Sequence, residues 1–316
     1  MIGGLETVAR NNALLAFFQV CLGWSMFVFP WCLDQEFRPL LPLPAVIAIS
    51  LAVPAIVILL LPLEKFADKI SKHLKPLPGE AQFENVVHEI AIALGEPVES
   101  IQLENCKIAN VAMLPCTGRE VVVATRGAVE QLTRYELQAL VAAQFAGMRD
   151  RWCRLASKAE VVWWTMPWMS VLGFLPGWIL GHHPVGIFYF MAIFVNVFVP
   201  RWHEQARDLC ADVVAVRTTL DPQSLASAMK KLADQAHKAI EIEFGKWYLP
   251  TNPFLVIPRR ANSTTKSGGR KWTAGDEVKM EFELRADRAE ALTNGEDPRK
   301  FTRREFSKRW SWLGRK

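Results

Sequence analysis

Between Arg10 and Asp34, and again between Pro39 and Leu63, the chain carries no charged residue, and the apolar residues filling both stretches run on continuously instead of alternating with polar ones. About 20 consecutive apolar residues cover the hydrocarbon core of a bilayer, so Ala13 to Leu33 predicts one membrane span and Pro39 to Leu63 a second. The second carries Pro42, Pro44, Pro54 and Pro62, which predicts a kinked helix. A cleavable signal peptide does not fit the first run, whose apolar part is too long and has no small-residue cleavage site after it. Val161 to Leu180 and Val185 to Pro200 are two further uncharged runs, joined by Gly181, His182, His183 and Pro184, and they predict a second hairpin. Trp163, Trp164, Trp168, Trp178 and Trp202 fall near the ends of these runs, where amphipathic rings prefer to lie. His182 and His183 read as turn residues, since nothing else ligand-like lies close in sequence.

Polar and apolar positions are mixed in the remaining segments. Phe83 to Leu94 has helical spacing, and Ser100 to Leu103 and Glu120 to Ala124 are short and rich in β-branched residues, so Gln82 to Cys153 predicts an α+β unit. Asp221 and Pro222 mark the start of a helix whose Leu225, Met229, Leu232, Ala236 and Ile240 form one apolar stripe. Pro258 to Asp276, rich in Ser, Thr, Gly, Lys and Arg, predicts a mobile linker. After Asp297 and Pro298, the residues Phe306, Trp310 and Leu313 recur at helical spacing among Arg303, Arg304, Lys308 and Arg309. That predicts a basic amphipathic helix lying on anionic lipid headgroups. A solvated tail and a helix docking on a partner protein compete with that reading. Nucleic acid is the weakest partner for the tail, because no recognition fold accompanies these charges.

The charge balance orients this arrangement. Net charge is +5 over 316 residues, with the basic excess densest after Arg299. Lys65, Lys69, Lys72 and Lys75 follow the second run, while only Asp34, Glu36 and Arg38 separate the first two, so the positive-inside rule places the polar segments in the cytoplasm. The six cysteines show no Cys-x-x-Cys pair and read as buried thiols in a reducing compartment, with a Cys106 to Cys116 bridge as the rival. The expected fold is a mainly α integral protein of the inner (plasma) membrane, with four transmembrane helices and a cytoplasmic α+β domain. Its parts are a transmembrane hairpin over 1–64, a soluble segment over 65–158, a second hairpin over 159–202, helices over 203–257, and a linker with the basic tail over 258–316. No nucleotide motif, nucleophile elbow or Gly-rich phosphate loop appears.

One helix carries a more specific signal. From Glu136 to Gly147 the chain reads Glu-Leu-Gln-Ala-Leu-Val-Ala-Ala-Gln-Phe-Ala-Gly. It resembles the active-site helix of the HtpX-like zinc-dependent membrane peptidases, in which a Glu-Leu-x-Ala-Val run leads into His-Glu-x-x-His. The family's histidines fall on Ala143 and Gly147 and its catalytic glutamate on Gln144. Further short matches keep the family's order. Asn110, Val111 and Ala112 are similar to its Asn-Ala-Phe-Ala strand, and Thr125 and Gly127 to its Thr-x-Gly turn. Arg201, Glu204 and Asp208 repeat its Arg-x-x-Glu-x-x-x-Asp spacing, Leu225 to Ala233 its Leu-Ala-x-Ala-Leu helix, and Arg288 to Leu292 its late Arg-x-x-x-Leu helix. The resemblance implies a gluzincin-like domain, with Glu204 as third metal ligand and Asp208 orienting the first histidine.

The chemistry of that site is missing from these positions. Two histidines one helical turn apart hold one Zn²⁺, and the neighbouring glutamate takes a proton from the zinc-bound water. A methyl group and a hydrogen offer no lone pair, and the neutral amide of Gln144 has no useful proton affinity near neutral pH. The sequence therefore predicts no metal and no cofactor, with Glu204 and Asp208 in ion pairs with Arg201, Arg207 or Arg149. The function it favours is a non-catalytic relative of a membrane peptidase, serving as scaffold, regulator or subunit of a complex with other membrane proteins. In that role Asn110 to Ala112 would still add a peptide strand. An active zinc peptidase with replacement ligands such as His203 or Cys210 is the alternative, and an adaptor organised by the basic tail is a third.

Overall fold

The structure, a computed structural model, describes residues 2–33, 43–71, 80–96, 98, 100–105, 107–116, 119–163, 202–235, 265–267, 270–272 and 274–296. It is mostly helical with a small three-stranded sheet, and it divides into two compact units. One comprises Met1–Val8, Pro62–Asp150 and Asp208–Lys316, the other Ala9–Leu61 and Arg151–Arg207.

The second unit is built on helices α1 (Ile2–Leu33), α2 (Leu43–Leu60) and α7 (residues 151–163). Ala16, Val20 and Cys21 of α1, Ile58 of α2, and Ala159, Val162 and Trp163 of α7 share one buried cluster. The Lys158 ammonium donates to the Leu59 carbonyl at 2.8 Å and ties α7 to the end of α2.

No helix among the described residues is long and apolar enough to cross a membrane. That overturns the four-span architecture and the multi-pass membrane location expected from the sequence. The 18 residues of α2, with Pro54 inside, rise about 27 Å, short of the roughly 30 Å hydrocarbon core. The longer α1 carries Glu6, Arg10, Asn11, Asn12 and Gln19, and Ala13, Ala16, Val20 and Cys21 on it are buried against protein. The third and fourth runs, with His182 and His183, lie outside the described residues from 164 onward.

The first unit holds the sheet. Strands β1 (Ser100–Glu104), β2 (Val111–Cys116) and β3 (Arg119–Thr125) lie in the order β1-β3-β2. β1 runs parallel to β3, with Ser100 opposite Val121, and β2 runs antiparallel to it, with Val111 opposite Ala124. Among the described residues β2 is therefore an edge strand. The chain's further helices are α3 (Leu63–Ser71), α4 (Ala81–Leu94), α5 (Arg126–Gln131) and α6 (Arg134–Arg149), then α8 (Trp202–Thr219), of which the part from Asp208 belongs to this unit, α9 (Pro222–Gln235) and α10 (Ala274–Thr293).

Helix α4 buries Phe83, Val86, Val87, Ile90 and Ala91, one face at the spacing the sequence predicts. It stops at Gly95, whose φ of 69° lets the Gly95 and Glu96 amides reach the Ile92 and Ala91 carbonyls. In α9, Asp221 accepts from the Ser224 amide at 3.0 Å, and Leu225, Met229 and Leu232 are buried; Ala236 and Ile240 lie outside the described residues.

Two local expectations change. The stretch read as a mobile linker contains a hairpin of β4 (Thr265–Ser267) and β5 (Arg270–Trp272), separated by Gly268 and Gly269, and α10 begins within it. Cys21, Cys116, Cys153 and Cys210 are buried and form no disulfide, so the Cys106 to Cys116 bridge is not made. Burial pushes the Cys21 thiol up to about 11.

Candidate functional site

Helix α6 is anchored at its start by a reciprocal cap and by side chains from two neighbouring helices. At its start the Thr133 hydroxyl accepts from the Glu136 amide at 3.3 Å, while the Thr133 amide donates to the Glu136 carboxylate at 2.7 Å. This reciprocal cap satisfies two donors that a helix start leaves open. Glu136, 3 % exposed, also receives the Ser227 hydroxyl at 2.5 Å and the Lys231 ammonium at 2.7 Å, both from α9. Burial works against its charge, but the bonds from Lys231, Ser227 and Thr133 prevail and hold its pKa below the ordinary glutamate value. On the opposite side Glu89 of α4 binds Arg134 and accepts from Gln138 Nε2 at 2.6 Å. Beyond this start, Leu137, Leu140, Val141, Ala142, Phe145 and Ala146 are buried, as in a helix enclosed by protein.

The three positions compared from the sequence with a zinc motif, Ala143, Gln144 and Gly147, lie on this helix. Ala143 is 2 % exposed, Gln144 is partly exposed, and Gly147 lies within the helix. Among the described residues no group of three His, Cys, Asp or Glu side chains could hold a metal ion. These residues do not fit a zinc ion, since neither position one turn apart on α6 presents a ligand atom. Glu204 and His203 lie on the backbone of α8, and their side chains are outside the described residues. Cys210 is buried.

Asp208 is buried and meets Arg285 of α10, with Nη1 3.7 Å from Oδ1. One turn on, Asp212 accepts from Arg285 Nε at 3.0 Å and Nη2 at 2.7 Å, and from Arg288 Nη2 at 2.9 Å. Burial opposes the Arg285 charge, but Asp212 and Asp208 outweigh it and raise its pKa. Arg207, expected beside Asp208, pairs with Glu160 of α7 at 2.6 Å, and both groups are almost fully buried. The side chains of Arg149 and Arg201 lie outside the described residues.

The strand expected to bind peptide is placed with equal definition. Asn110, Val111 and Ala112 are each 1 % exposed. The Thr125 hydroxyl donates to the Ile108 carbonyl at 2.6 Å and accepts from the Asn110 amide at 2.8 Å, so the chain entering β2 is bolted to the end of β3. Gly127 follows; a Cβ there would lie 2.1 Å from the Lys107 carbonyl oxygen, so only glycine allows this approach. The Thr125 amide donates to the Asn110 carbonyl at 3.0 Å, which sets the parity of the ladder. Ala112 and Leu114 then bond toward β3, while Val111, Met113 and Pro115 direct their backbone groups to the outer edge. On that edge the Val111 amide donates to Asn110 Oδ1 at 2.9 Å, and Pro115 has no amide hydrogen.

Neither a family model, a curated protein nor a solved structure matches this chain. The tail residues Arg303, Arg304, Phe306, Lys308, Arg309 and Trp310 lie outside the described residues.

Several residues in this unit were not singled out from the sequence. Asp212 and Arg285 were legible only as charges at helical spacing within apolar helices. Glu104 and Glu120, at separate places on the sheet, are each pushed up to about 7 by burial, with Glu96 adding to the shift at Glu120. Ordinary strand-end positions gave no hint of that.

Proposed function

We propose that this protein is a non-catalytic homologue of the HtpX-type metallopeptidases, working as a scaffold, regulator or subunit of a protein complex, with β2 as the strand that pairs with its partner. One observation carries the reading. The helix in the position of a zinc helix is held firmly at its start through Glu136, while Ala143, Gln144 and Gly147 offer neither a ligand nor a base. Keeping such a frame without its chemistry favours a role in binding. An edge strand is the part of a sheet that another chain pairs with, through backbone bonds that need no catalytic group.

The test is the zinc content of the purified protein beside a variant with Ala143→His, Gln144→Glu and Gly147→His, each checked for a native circular dichroism spectrum. Native protein without stoichiometric zinc and a variant that gains one zinc per chain support the reading. One zinc per native chain sinks it and turns attention to His203, Glu204 and Cys210. A variant that folds yet takes up no zinc removes the resemblance to a metallopeptidase frame.

A further inference from the structure

We propose that two copies of this chain pair antiparallel along the outer edge of β1, about a two-fold axis at Gln102. The order β1-β3-β2 puts β1 at the edge away from β2, so the inference stands apart from the reading of β2 as a binding strand. Among the described residues β1 has a neighbouring strand on one side, β3. Val121, Val123 and Thr125 of β3 turn their backbone groups to β2, so Val122 and Ala124 turn theirs to β1. Gln102 stands opposite Val123, between those two, and takes the bonds of both. Ile101 and Leu103 therefore direct their amides and carbonyls outward.

Two side-chain oxygens on this strand indicate what pairs there. Ser100, Gln102 and Glu104 alternate onto one face of the sheet, and all three are half-buried. Gln102 Oε1 and Glu104 Oε2 are buried, and neither oxygen has a hydrogen-bond partner. Gln102 Nε2 donates to Ser100 Oγ at 3.4 Å, which leaves the Ser100 hydroxyl hydrogen to bond elsewhere. A buried acceptor without a donor is a cost that native structures seldom carry.

A two-fold axis at Gln102 supplies both donors. It sets Gln102 opposite Gln102 of the second copy and Ser100 opposite Glu104, in the non-hydrogen-bonded positions where facing side chains come closest. With a turn about its side-chain bonds, each Gln102 carboxamide donates to the other, and each Ser100 hydroxyl donates to the opposite Glu104. On the other face Ile101 meets Leu103 of the second copy, and these residues exchange backbone bonds in both directions. The two Glu104 carboxyls stand at opposite ends of the pairing, about 13 Å apart, so they do not repel at close range. An axis at Ile101 would set Glu104 opposite Val98, whose side chain has no donor, and an axis at Leu103 would set Gln102 Oε1 against a carboxyl.

Cysteine cross-linking of the full chain reads this register, in a background with Cys32→Ser and Cys106→Ser, where the remaining four cysteines are buried. Gln102→Cys puts two thiols at facing positions with Cα atoms about 4.5 Å apart, within disulfide reach. Mild oxidation is expected to give its covalent dimer on a non-reducing gel. Ser100→Cys and Glu104→Cys are expected to cross-link with each other when mixed and not each with itself, since like positions lie about 13 Å apart.

Sedimentation velocity supplies the second readout. The unaltered chain is expected to dimerise as concentration rises. Ile101→Pro removes an outward amide and no bond to β3, and it is expected to weaken the dimer about tenfold. A chain that sediments as a monomer throughout overturns the pairing. So does a dimer that Gln102→Cys fails to cross-link, because another surface or register then holds it. Should Ile101→Pro lose its native circular dichroism spectrum, the cysteine pattern decides.

Discussion

Arg285 reaches Asp212 with two nitrogens at once, Nε at 3.0 Å and Nη2 at 2.7 Å from the same oxygen, and both side chains are about 5 % exposed. A planar guanidinium suits this contact because its donors are fixed in a fork, and Arg288 adds a third bond on the other carboxylate oxygen. Removing one partner of a buried pair leaves the other charge desolvated. Arg285→Ala is therefore expected to destabilise the protein by about 3–5 kcal/mol in urea titration. Arg285→Met, which keeps the packing, is expected to cost less when Asp208 and Asp212 are made Asn in the same chain. Equal losses in the two variants would contradict this account.

Glu136 gives a pH dependence of defined sign. Its folded pKa lies below the ordinary value of 4.5, so its charged form is favoured by folding. That contribution is complete above the unfolded pKa and disappears as pH falls below about 4.5 toward the folded value. Glu136→Gln should lose stability at pH 7 by about 1–3 kcal/mol, through the bonds from Lys231 and Ser227. The gap from the unaltered protein should narrow below pH 4.5, which thermal melts across pH will read.

Glu104 and Glu120 have the opposite sign. Their folded pKa values, about 7, exceed the ordinary 4.5, so folding favours the protonated acids. Between pH 4.5 and 7 the folded protein holds protons that the unfolded chain has released, and stability falls as pH rises through that window. The double variant Glu104→Gln, Glu120→Gln is expected to flatten this slope. A slope equal to that of the unaltered protein would show that both carboxyls ionise normally.

Leu220 ends α8 with φ of 55° and its side chain 82 % exposed. Its amide still closes the helix on the Val216 carbonyl, so the backbone there serves as a left-handed cap. Leucine pays a steric penalty in that region that glycine does not, and it buries little in return. Leu220→Gly is expected to raise stability by about 1 kcal/mol or leave it level, read as a higher urea midpoint. A clear loss would mean that the leucine side chain makes contacts its exposure does not reveal.

What the sequence determined by itself were features that depend on neighbours along the chain. The spacing of Phe83, Val86, Val87 and Ile90 specified α4, and the β-branched residues at Val121, Val122 and Val123 specified β3. Asp221 and Pro222 marked the start of α9. That Ala143, Gln144 and Gly147 offer no metal ligand and no base is likewise complete in the sequence, because no fold gives a methyl group a lone pair. Tertiary structure alone decided what covers each surface. A run of apolar residues buries itself as readily against protein as against lipid, so run length did not reveal that Ala16 and Val20 of α1 pack on Ile58, Ala159 and Val162. The partner of Asp208 comes from Arg285, more than 70 residues on, where local spacing carries no information. Nor did local spacing reveal that Ala67 of the nine-residue α3 shares a buried cluster with Ala112 and Leu114 of β2 and Val121 and Val123 of β3. Contacts between segments distant in sequence are set by the shape and charge of the assembled core, which no short window of residues contains.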